Sequence, residues 1–204
     1  MNPTALAPRP PAPAKLKILE VADRLFYTEG IQTVGVDRII KEAHVTKATF
    51  YKHYRSKDLL IVAYVEGRHL RTKQLVEEAQ ADLTDPADLL RALARLIGKI
   101  ATRPGFHGCP FINAAAQFSD PDHPVRRAVA RHREWERSLV AGLVAELGHP
   151  TSDDAVDDLI LFRDGVLSGS NVGDPARAYR ALARAVERII AESSAASDTG
   201  RLSA

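Results

Sequence analysis

Seven polar side chains near the start of the chain have the types and spacing to grip a polyanion. Thr46, Lys47, Thr49, Tyr51 and His53 fall within eight residues, Lys57 follows four later, and Thr33 precedes them. Hydroxyls, ammonium groups, a phenol and an imidazole can all donate to phosphate oxygens, and the same groups reach base edges in a DNA groove. Phe50 and Tyr54, four residues apart, would supply the apolar side of the same helix. A helix of about eight residues is roughly 12 Å long, and the major groove is about 12 Å wide. Such a segment can read DNA if neighbouring helices hold its inner face. Lys52 is read as a solvated charge, and Lys57 as a phosphate-binding cation at a helix N-terminus.

The other cluster of reactive types is Cys109 with His107 and His123. Its spacing matches no zinc pattern, and one thiol cannot make a structural site, so no metal or cofactor is expected. A thiol-based redox sensor at Cys109 is the alternative reading. No Ser-His-Asp order, phosphate loop or paired-carboxylate cluster is present, so the sequence does not read as an enzyme.

Composition fits this reading. Residues 1–60 hold ten Lys/Arg against six Asp/Glu, and the rest hold eighteen against twenty. A basic head on a mildly acidic body suits a phosphate-binding module joined to a non-DNA domain. No apolar run approaches the ~18 residues of a membrane span. The stretch Met1–Ala14 is Pro- and Ala-rich and lacks a signal peptide's apolar core, so it reads as a disordered arm. With a single cysteine and no export signal, a reducing cytoplasm is the expected location.

The elements that must position these groups read as helical throughout, with no alternating strand, so the predicted fold class is all-α with about nine helices. Helix 1 is expected over 15–28, with Gly30 past its end; helix 2 over 36–43; a turn at 44–46; helix 3 over 47–54, capped by Thr46. Ser56 would cap helix 4, which continues to about residue 81. Asp85-Pro86 and Asp174-Pro175 each place an acidic cap before a proline at the first helical position. They start helices over 86–103 and 175–194, with others over 110–118, 123–147 and 153–171. The implied domains are an arm (1–14), a DNA-binding head (15–60), a body (61–194) and a flexible tail (195–204). Arg126, Arg127, Arg131, Arg133 and Arg137 read as a solvated face of helix 7.

Three short helices and a long one, with a three-residue turn between the second and third, form a helix-turn-helix pattern. The runs Ala22–Gly30 and Ile39–Leu60 resemble the DNA-binding region of the TetR/AcrR family of regulators. The match centres on Val45-Thr46-Lys47-Ala48-Thr49-Phe50-Tyr51-Lys52-His53-Tyr54-Arg55-Ser56-Lys57-Asp58-Leu59 and covers about residues 15–65. Two slots depart from the commonest pattern. Ala48 stands where glycine is frequent, and Gly35 stands where Ser or Thr usually precedes helix 2, which leaves Thr33 to take that phosphate contact.

The resemblance implies that Lys47, Thr49, Tyr51 and His53 make the main groove and phosphate contacts, with Thr46 and Lys57 on the backbone. It implies a homodimer built from the last two helices, through Leu159, Phe162, Val166, Leu182, Val186 and Ile189. It also implies a body that binds an unidentified small-molecule effector, with Phe106, Cys109, Phe111, Phe118, Trp135 and Phe162 as pocket walls. The expected function is a repressor released from a near-palindromic DNA operator by that effector. An activator or an architectural DNA-binding protein with the same head is the alternative.

Overall fold

Most helices in this chain begin where the sequence supplies a capping side chain or a proline. The computed structural model describes residues 12–202, with side chains through Ala195. Among these residues it contains nine helices and no strand: α1 Pro13–Glu29, α2 Val36–Glu42, α3 Lys47–His53, α4 Lys57–Gln80, α5 Pro86–Thr102, α6 Pro110–Ala115, α7 Pro124–Glu146, α8 Ser152–Gly169 and α9 Pro175–Leu202. The carboxylate of Asp85 accepts from the Ala87 and Asp88 amides at 2.7 and 3.1 Å, and Asp174 does the same for Ala176 and Arg177. Thr46 Oγ1 accepts from Thr49 N, and Ser56 Oγ from Leu59 N, both at 3.1 Å.

Several boundaries differ from expectation by one or more residues, and three of them bear on the predicted arm, pocket and tail. Pro13 occupies the first helical position of α1, so the helix starts two residues early and residues 13–14 of the predicted arm are helical. Residues 1–11 of that arm lie outside the described residues. Helix α6 stops at Ala115, before Phe118, whose ring stacks on His123 at 4.2 Å. At the other end, α9 runs to Leu202, where a flexible tail from 195 was predicted. No proline interrupts it. Ser193 and Ser194 return their hydroxyls to the carbonyls of Ile189 and Ile190, so their polarity is absorbed along the helix.

The chain divides into two compact units, residues 1–64 and 65–204. The first packs α1 on α2 and α3. Ile18, Val21, Ala22, Leu25 and Phe26 recur at helical spacing on α1 and are buried against Ile39 and Phe50 in one core with Leu60, Ile61 and Tyr64. Each large apolar side chain buried this way stabilises by about 1.5–3 kcal/mol. Outside the core, Arg24 and Arg38 pair with Glu29 and Glu42 and tie α1 to α2.

In the second unit α5 and α8 pack on α9, α7 on α8, and α6 on α7. This packing corrects one expectation. Leu159, Val166, Leu182, Val186 and Ile189, predicted to face a second subunit, are at most 5% exposed within the single chain. Their apolar area is used in closing the body's own core; Phe162 is half-buried. Among the described residues no helix is long and apolar enough to cross a membrane.

Candidate nucleic-acid interface

Helix α3 is two-faced. Phe50 is fully buried and Tyr54 is 4% exposed, while Tyr51 between them is 43% exposed. Tyr54 closes the helix in an extended conformation, and its hydroxyl donates to the carbonyl of Lys15 at 3.3 Å, which pins the end of α3 to α1. At the other end, the turn from α2 passes through His44 at φ 53°, a left-handed conformation that lets the chain reverse within three residues. Helix α3 is therefore held at both termini, by the Thr46 cap and by the Tyr54 bond.

Six of the seven predicted contact residues lie between positions 46 and 57, and Thr33 lies apart in the loop before α2. Lys47 is exposed and lies 3.7 Å from the Asp37 carboxylate of α2. Thr46 and Thr49 share a hydroxyl–hydroxyl bond of 2.9 Å, so one of those protons is already used within the helix. His53 is half-buried at the C-terminal end. Lys57, also half-buried, opens α4, and partial burial lowers its pKa from the ordinary lysine value. A phosphate there would favour the charged form. Thr33 is exposed, but its hydroxyl donates to the Glu29 carbonyl at 2.9 Å. Gly35 caps α2 without a side-chain bond, as its lack of a hydroxyl requires. The arrangement can present donors to a phosphate backbone and a phenol to a groove.

The body holds a polar cluster that the sequence reading missed. His132 of α7 is fully buried, its ring stacked on Phe111 at 3.4 Å and 10°. Its Nδ1 lies 3.1 Å from His69 Nδ1, and the Trp135 ring lies 5.5 Å away. Burial, with Arg163, His69 and Arg133 nearby, pushes His132 down to about 3, so the imidazole is neutral. Beside it Arg163, 8% exposed, bonds Glu136 at 2.7 Å and Asp164 at 2.6 Å. Arg133 bonds the same two carboxylates at 3.3 and 2.7 Å. Burial raises the Glu136 pKa against the pull of both arginines, while Arg163 stays charged.

Of the predicted pocket walls, Cys109, Phe111 and Trp135 meet this cluster; Cys109 Sγ accepts from Arg163 Nη1 at 3.7 Å. Phe118 instead stacks on His123, and Phe106 and Phe162 are half-buried. The arginine run of α7 is not a plain solvated face: Arg126 donates to two backbone carbonyls, Arg131 pairs with Glu66 and Arg137 with Asp157. A signal for the missed residues existed. Val125, Ala128, Val129, His132, Glu136 and Val140 follow the three- and four-residue spacing of a buried stripe, and His132 and Glu136 lie on it.

Comparison with known proteins agrees with the geometry. Residues 18–64 match the family model described as "Bacterial regulatory proteins, tetR family". A crystal structure of a TetR-family transcriptional regulator from Streptomyces coelicolor is 38% identical, covers 89% of this chain and 96% of its own, and superposes with a TM-score of 0.85. The HTH-type transcriptional regulator LmrA of Bacillus subtilis is 30% identical over 122 residues, 58% of this chain and 65% of that protein. An uncharacterised HTH-type transcriptional regulator of Mycobacterium tuberculosis is 29% identical over 65% of this chain. The alignment spans 62% of the length of that curated relative.

Proposed function

This chain belongs to the TetR family of DNA-binding transcriptional regulators, and from that premise we propose that it is a homodimeric repressor released from its operator by a small-molecule effector. The observation that carries the reading is the division of α3 between a buried Phe50 and an exposed Tyr51 flanked by Lys47 and Thr49. Thr46, Lys47, Thr49, Tyr51, His53 and Lys57 are the proposed DNA contacts. Thr33 is a further proposed phosphate contact, made when its hydroxyl proton turns from the Glu29 carbonyl to a phosphate oxygen.

A dimer would place two copies of α3 about 34–36 Å apart, one turn of DNA, which calls for a near-palindromic operator. Helices α8 and α9 remain the proposed dimer elements, with different residues. Leu161 on α8 is 68% exposed, Val172 just beyond it is 86% exposed, and a Cβ added at Gly165 would meet nothing within 4 Å. A second copy could approach such a face closely. The proposed effector site is the body cluster around Phe111 and Trp135, and the cytoplasm, where the DNA is, is the proposed location. An effector acts only through a difference in its affinity for the DNA-competent and released states.

Deleting the gene and measuring transcripts tests the repressor reading. Transcripts from promoters that the protein occupies should rise. A fall at those promoters would make the protein an activator.

A further inference from the structure

His132 carries an unspent hydrogen-bonding atom. Its Nε2 is fully buried and has no hydrogen-bond partner among the described residues. The ring is neutral, so one nitrogen donates and the other accepts. The bond to His69 uses Nδ1. If His69 donates, Nε2 of His132 keeps a proton with nothing to receive it; if His132 donates, Nε2 keeps a lone pair. Either way one polar atom is unsatisfied in an aromatic setting of Phe111, His69 and Trp135.

The charges beside it are already matched. Arg163 and Arg133 share the carboxylates of Glu136 and Asp164, two cations on two anions. Within these four groups no net charge remains to draw an ion, and a charged ligand held against them would bear a desolvation penalty without a counter-charge. The chemistry that fits is uncharged and flat, with one hydrogen-bonding group.

We propose that His132 Nε2 anchors an uncharged hydroxy-aromatic ligand, whose hydroxyl bonds the imidazole while its ring packs among Phe111, His69 and Trp135. A phenolic hydroxyl both donates and accepts, so it satisfies either tautomer of the histidine pair. A carbonyl or an ether oxygen satisfies only one. The inference rests on the reading of the body as the effector site and names its ligand class.

Calorimetric titration of the full chain with p-cresol, toluene and benzoate tests the assignment, with His132→Phe as the variant. Phenylalanine keeps a ring against Phe111 and removes both nitrogens. The wild type should bind p-cresol at least tenfold tighter than toluene, benzoate should bind weakest, and the variant should lose the preference for the hydroxyl. Equal binding of p-cresol and toluene, tighter binding of benzoate, binding of none of the three, or a preference that survives in His132→Phe would each overturn it. If the variant does not fold, nitrogen NMR of histidine-labelled wild type decides. Added p-cresol should shift His132 Nε2, and an unmoved resonance overturns the site. DNA release is a separate readout. Binding of p-cresol that follows this pattern without release would refute the effector reading and leave the ligand site standing.

Discussion

Phe50 and Tyr51 are neighbours on α3 whose rings meet edge to face, centroids 5.2 Å apart at 82°, yet one is fully buried and the other is 43% exposed. The pair divides labour along the chain: Phe50 builds the head, and Tyr51 is left on the surface as a proposed DNA contact. Phe50→Ala should lower unfolding free energy by about 3–5 kcal/mol, the usual loss for a buried phenylalanine. Tyr51→Ala should change it by roughly 0.5 kcal/mol or less, as surface changes do. Urea denaturation of both variants checks the contrast, and similar losses for the two would erase it.

Thr46 accepts from the Thr49 amide and so caps α3. Thr46→Ala should destabilise the chain by about 1 kcal/mol. Thr46→Ser keeps the oxygen and should restore most of that. Thermal melts of the three proteins give the comparison.

Burial holds His132 neutral, and its pKa falls from the ordinary 6.5 to about 3. A depressed folded pKa contributes stability that is complete above the unfolded value of 6.5 and drains away as pH falls toward 3. Wild type should therefore lose denaturation midpoint steadily between those pH values. The His132→Phe variant should show a shallower decline over the same window, measured as the difference between the two proteins because other histidines titrate in both.

Arg163 is the buried cation that balances Glu136 and Asp164. Arg163→Met would leave two carboxylates to Arg133 alone, and should lower stability by about 3–5 kcal/mol. A double change with Glu136→Gln should recover part of that loss, and equilibrium denaturation measures the coupling.

Gly98 on α5 faces the Tyr179 ring of α9, and a Cβ there would stand 2.6 Å from a ring carbon. Gly98→Ala should cost about 1–3 kcal/mol by overpacking this crossing. Tyr179→Leu in the same chain should relieve the clash. If Gly98→Ala were neutral, α5 and α9 would not cross this closely.

Much of this was legible in the residues. Period and capping chemistry placed the helices, because Asp85-Pro86, Asp174-Pro175, Thr46 and Ser56 each act within a few residues of themselves. The two faces of α3 were legible for the same reason. What the sequence hid were partners distant along the chain. His132 sits between Arg131 and Arg133, and only the fold shows that it meets His69 and Phe111 while Arg131 turns outward to Glu66 and Arg133 joins the carboxylates of Glu136 and Asp164. The apolar stripes of α8 and α9 were plain, but periodicity does not say whether such a stripe packs on its own chain or on a copy. Leu159 and Val186 pack on their own.

The central claim is that the outer face of α3 reads DNA. Selecting bound sequences from a random duplex library, then titrating the selected site by fluorescence anisotropy at several salt concentrations, tests it most directly. Wild type should select a near-palindrome. Tyr51→Ala should weaken binding to the selected site at least tenfold, and Lys47→Ala should weaken it across sequences and reduce the salt slope by about one unit, the signature of a lost phosphate contact. Unchanged affinity in both variants would contradict the assignment of α3 as the reading helix.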